Sequence, residues 1–110
     1  MSSTGHLRAG TPGTAESEAV ELSASRASGS TLDMTTCTGA TVSVTRPNGT
    51  SATWAFEVVS ATATTVELRH IIEDGDCPSG VIGQYRCRPT LDFPDGTRRW
   101  AGFSVTVENW

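Results

Sequence analysis

Residues 40–59 read ATVSVTRPNGTSATWAFEVV, and this stretch decides the fold class. Val42 and Val44 alternate with Thr41, Ser43 and Thr45, so an extended chain puts the valines on one face and the hydroxyls on the other. Pro47-Asn48-Gly49-Thr50 then interrupts the pattern with a proline that presets φ and an Asn-Gly pair able to adopt positive φ. Trp54, Phe56 and Val58 resume the two-residue period. Two strands joined by a tight turn, apolar on one face, are what this stretch predicts.

The same period recurs on both sides. Strands are expected over 20–25, 40–46, 52–59, 64–72, 82–91 and 98–108, separated by Gly, Pro, Asn and Asp clusters such as Pro94-Asp95-Gly96-Thr97. No segment sustains a helical period. The inward set is Val42, Val44, Trp54, Phe56, Val66, Leu68, Tyr85, Phe103 and Val105, with His70 also on an inward position. Two facing antiparallel layers would bury all of it, which makes the expected fold an all-β antiparallel sandwich of six to seven strands. Residues 1–18 are mostly Ser, Thr, Gly, Ala and Pro, too little apolar surface to offset the entropy of ordering, and are expected to form a flexible N-terminal arm. Residues 19–110 then make one domain.

Composition narrows the function classes. Eight basic residues, all Arg, stand against twelve acidic ones, a net charge of −4, and only Arg86, Arg88, Arg98 and Arg99 cluster. Binding driven by nucleic-acid phosphates is therefore not expected. No apolar run approaches the roughly 18 residues that cross a bilayer, and residues 1–5 lack the charged and apolar regions of a secretory leader. No membrane association is expected, and synthesis in the cytoplasm is. Cys37, Cys77 and Cys87 cannot all pair within one chain, so free thiols are favoured over a single intrachain disulfide. Zinc is disfavoured, because no C-x-x-C pair occurs and His6 and His70 lie in unrelated contexts.

Gly83-Gln84-Tyr85-Arg86-Cys87 resembles the Gly-x-Tyr-x-Cys entry to a late strand of immunoglobulin-like domains, in which the Tyr hydroxyl bonds back to the preceding loop. Trp54 matches the position of the core Trp of that family. A second resemblance runs through Leu32-Asp33-Met34, residues 38–44 (TGATVSV), Pro47-Asn48-Gly49, Gly83-Gln84-Tyr85, Asp95-Gly96-Thr97 and residues 103–107 (FSVTV). In that order these segments are similar to the small immunoglobulin-like domains of tailed-phage virion proteins, such as the N-terminal domain of siphophage baseplate upper proteins. The resemblance implies a non-enzymatic structural component of a phage or phage-derived particle, assembled in the host cytoplasm. It would act as an adaptor or decoration protein at the neck, baseplate, tail or capsid surface, docking through its N-terminal arm and its C-terminal end at Trp110 onto other virion proteins in a multi-copy symmetric assembly.

No catalytic, cofactor or metal residues are assigned. A triad would need Ser or Cys, His and a carboxylate brought together. His6 lies in the arm, and His70 reads as a structural histidine satisfied inside the sandwich. Glu73, Asp74 and Asp76 read as a solvated turn, since a calcium loop needs more regularly placed oxygens. The candidate interface is Arg86, Arg88, Arg98, Arg99, Trp100 and Trp110. Arg86 and Arg88 alternate with core residues and so face outward, where they would either form a basic stripe with Arg98 and Arg99 or pair with Glu57 and Glu67. Trp100 and Trp110 exceed what one small core needs. The alternative function is a carbohydrate- or cell-surface-binding module of a bacterial protein, in which Trp100 would stack on a host surface glycan with Asp92, Asp95 and Asn109 as its polar candidates.

Overall fold

The computed structural model describes residues 5–8, 19–73, 75–78 and 80–108. Among these, eight strands form: β1 (Gly5–Arg8), β2 (Ala19–Ser25), β3 (Gly39–Thr45), β4 (Ser51–Ala61), β5 (Thr65–Ile71), β6 (Gly83–Phe93), β7 (Gly96–Arg99) and β8 (Phe103–Glu108). The one helical turn among them is a 3-10 turn, Met34–Thr36. Asp33 caps it: Oδ1 accepts from the Thr35 hydroxyl at 2.6 Å and the Thr35 N–H at 3.0 Å, and these bonds hold the carboxyl below its usual range.

The strands follow one ladder, β1-β8-β6-β3-β4-β5-β2, with β7 attached beside β6. All pairings are antiparallel except that of β1, which runs parallel to β8 from Gly5 opposite Val105 to Arg8 opposite Glu108. Part of the expected arm thus lies on the sheet. Residues 1–4 and 9–18 fall outside the described residues.

The strand β4 turns this ladder into a sandwich. Residues 51–56 pair with β3, whereas Glu57, Val58, Ser60 and Ala61 pair with β5, and the register shifts between Val58 and Ser60. One strand therefore passes from one layer to the other, with an irregularity at the corner, and the curled ladder closes on its apolar face. The Pro47-Asn48 turn that feeds β4 closes through the Gly49 N–H to Arg46 O at 3.0 Å; only Gly49, at φ 88°, takes positive φ, while Asn48 Oδ1 accepts from the Thr50 N–H and hydroxyl.

The result is an all-β, sandwich-like fold. Val42, Val44, Trp54, Phe56, Val66, Leu68, Tyr85, Phe103 and Val105 are all buried, joined by Val20, Leu22 and Ala24 of β2 and by Met34 under the 3-10 turn. Phe56 meets Phe103 edge-on at 6.5 Å and Trp54 lies 6.4 Å from Tyr85, while both rings also pack on His70 of β5, so β4 ties the β6–β8 side of the core to β5. The Tyr85 hydroxyl donates to Val81 O at 2.7 Å, the back-bond to the preceding loop that the Gly-x-Tyr-x-Cys pattern implied. All three cysteines are buried; Cys37 and Cys87 are thiols that donate to Gly39 O and Tyr85 O.

Candidate functional site

Pro89 shapes the site. It sits in the middle of β6, flanked on both sides, although proline has no N–H to give a ladder. Its carbonyl accepts the Trp100 N–H at 3.0 Å, and a strand residue points its N and its C=O toward the same neighbour, so the missing donor faces the β7–β8 side. There the partner strand bulges. Thr90 opposes Arg99 and Cys87 opposes Phe103, which leaves Arg88 and Pro89 facing Trp100, Ala101 and Gly102. The segment expected as one strand over 98–108 is therefore two, β7 and β8, and Trp100 sits in the bulge between them, packed against the edge of the core.

Trp100 is half-buried and, together with Arg99, lines two grooves. The larger, about 870 Å³, lies between loop 25–33 and the β6–β7 turn and includes Arg26, Asp33, Asp95 and Arg98. Its charges are already engaged. Arg98 forks onto Asp95 through two bonds of 3.0 Å, and its guanidinium lies 5.0 Å from the centre of the Phe93 ring, itself 6.5 Å from Trp100. The fork pulls the Asp95 carboxyl below its usual range and raises Arg98. Arg26 donates to Leu32 O at 2.9 Å.

The smaller groove, about 400 Å³, is lined by Ser43, Arg88, Thr90, Arg99, Trp100 and Gly102 along with Pro89, and no carboxylate is among them. Gly102 keeps it open: a Cβ there would lie 3.0 Å from Cys87 O and 4.0 Å from Arg88 Cγ.

The expected basic stripe needs one correction. Arg86, Arg88 and Arg99 are exposed, and none of them pairs with a carboxylate among the described residues. Glu67 instead accepts from Ser60, and Glu57 lies opposite Arg69. Arg98, however, is opposite buried Leu91, on the other face from Arg99, because neighbours along a strand alternate. Trp110 and Asn109 lie outside the described residues. Arg26 and Asp33 had no signal in the sequence, since only the fold brings loop 25–33 to Trp100.

His70 and Asp76 also come together. The ring stacks on Trp54 at 5.2 Å and packs on Phe56 at 5.5 Å; Nδ1 lies 2.8 Å from Ala55 O, and Nε2 lies 2.8 Å from Asp76 Oδ2. Asp76 Oδ2 also accepts the Glu73 N–H at 2.8 Å, and Arg46 donates to the carbonyls of Gly75 and Asp76. Asp76 is thus a buttress of loop 73–80 and not part of a solvated turn. Both ring nitrogens are occupied, leaving none to activate a nucleophile. Among the described residues, no three His, Cys, Asp or Glu side chains converge as metal ligands.

No family model, curated protein or solved structure matches the chain, so the chemistry of the Trp100 grooves and the face beside them carries the functional reading.

Proposed function

We propose that the chain is a non-enzymatic docking domain that joins a neighbouring protein through the outward face of β6 and β7, as a structural component of a tailed-phage or phage-derived particle. The observation that carries the docking part is the set Arg86, Arg88 and Arg99. These three guanidiniums project from one face with no carboxylate partner among the described residues, across from Ser104, Ser43 and Thr90 respectively. Arg is well suited to interfaces because its planar fork binds carboxylates in pairs, and half-buried Trp100 beside it supplies apolar area. The particle setting rests on the order of the virion-like segments.

The test is incorporation. A chain carrying Glu at 86, 88 and 99 is expected to keep the wild-type circular dichroism spectrum and melting curve but to be missing from purified particles. Wild-type incorporation of that folded variant would end the docking assignment, and absence of the unmodified chain from every particle of its host would end the virion assignment.

A glycan-binding module is the second reading, favoured by Asp33, Asp95, Arg26 and Arg98 lining the larger groove with Trp100. Saturable polysaccharide binding that is lost in Trp100→Ala would support it; no binding across a glycan panel would remove it.

A further inference from the structure

We infer that the smaller groove is a carboxylate subsite, which takes one acidic side chain of a docked protein between Arg88 and Arg99. The inference rests on the docking reading for the identity of the partner, but not for the chemistry of the groove.

Four observations converge on it. Arg99 is opposite Thr90, so Arg88 is its diagonal neighbour across the β6–β7 pair, a backbone spacing of roughly 7–8 Å that lets two guanidiniums reach one carboxylate. Neither has a carboxylate partner among the described residues, and the repulsion between two like charges side by side is relieved by an anion. Ser43 and Thr90 bring hydroxyls into the same groove, while Trp100 forms an apolar wall for the stem of a Glu or Asp. The volume of about 400 Å³ fits one side chain.

The source of the anion follows from the whole chain. At a net charge of −4, an extended polyanion is repelled from most of the surface, whereas a single carboxylate on a partner meets only the local field. An acidic protein segment is therefore favoured over a nucleic acid or a sulfated polymer. Gly102 belongs to the device, since a Cβ there would press on Cys87 O at 3.0 Å.

The test titrates the intact chain with an acetylated, amidated peptide carrying two glutamates, with its glutamine counterpart, and with inorganic sulfate. NMR shifts of the Trp100 indole and of the Arg88 and Arg99 Nε–H groups are followed. The glutamate peptide is expected to saturate these shifts and the glutamine peptide to leave them unchanged. R88Q and R99Q should each weaken binding about tenfold, as loss of a charge-assisted bond does. R86Q, on the same face but outside the groove, should change it by less than about twofold. Equal loss in R86Q, or no saturable shift with the glutamate peptide, would overturn the subsite, and saturation by sulfate alone would overturn its assignment to an acidic protein. If peptide binding fails while the Glu-substituted triple variant is still excluded from particles, the subsite falls and the docking reading stands. If the peptide binds and that variant is incorporated, the docking reading falls and the groove chemistry stands.

Discussion

His70 faces two acceptors, the carbonyl of Ala55 and a carboxylate oxygen of Asp76, and is enclosed by Trp54 and Phe56. A ring held in this way ties β5 to β4 and to loop 73–80 at once. Removing one partner strands the other, so His70→Phe and Asp76→Ala are each expected to cost about 3 kcal/mol, and the double variant less than the sum. Urea unfolding with an unchanged m-value checks both. Tyr85→Phe removes the bond to Val81 O, for about 1 kcal/mol. Cys87 governs alkaline behaviour. Burial pushes its thiol from 9.0 up to about 12, so below pH 9 it is protonated in both the folded and unfolded chain. Between pH 9 and 12 the unfolded chain releases the proton and the folded one keeps it, so stability falls as pH rises through that window. Cys87→Ala should lower the slope of stability against pH above 9; Cys37 and Tyr85, also raised by burial, would leave a residual slope. An unchanged slope would show that Cys87 is not the group involved.

At the scale of elements, the break between β7 and β8 matters most. It exists because Pro89 withholds an N–H where the partner strand would need one, and the extra residue is accommodated at Trp100-Ala101-Gly102. Deleting Ala101 leaves two residues facing two. Trp100 would then fall into regular register opposite Pro89 and leave the rim of the smaller groove. The expected outcome is a folded chain whose Trp100 indole resonance moves and whose response to the glutamate peptide is lost. Gly102→Val should also abolish that response while leaving Trp100 in place, which separates closing the groove from re-aiming its wall. The strand β4 shows a second irregularity, and it has a different use: the register shift between Val58 and Ser60 lets one strand serve both layers and leaves Val59 exposed at the corner.

For the whole molecule, the layers divide the labour. The inner faces carry Trp54, Phe56, Tyr85 and the aliphatic set that holds the sandwich, while the outer face of the β8-β6-β3-β4 layer, with β7 beside it, is mostly hydroxyl with three guanidiniums set in it. Such a face adds little to stability, so changing its charges should move the melting temperature little. Its effect on association should be large and salt-dependent. Raising the salt concentration is expected to slow docking chiefly through the on-rate, because steering between exposed charges is screened within about 10 Å at 0.1 M. Surface-captured neighbour protein measured across a salt series checks this; an on-rate indifferent to salt would place the docking energy in the apolar Trp100 contact instead.

The local pattern was enough for β2 to β6, their inward residues and the Asn48-Gly49 turn, because a two-residue period and turn chemistry are properties of neighbouring residues; it missed β1 and the break between β7 and β8. The back-bond of Tyr85 was what the Gly-x-Tyr-x-Cys resemblance implied, and the satisfied state of His70 was legible because an inward polar group must find a partner. What only the tertiary structure decided depends on residues far apart in the chain. Asp76 becomes a buttress because β5 delivers His70 to it. Arg98 leaves the stripe because its opposite neighbour, Leu91, is in the core. Pro89 lies eleven residues from Trp100, and no reading of either one alone reveals that the carbonyl of the first takes the N–H of the second beside the break between β7 and β8. The sequence determined which faces are apolar, and packing decided which charges were left without partners.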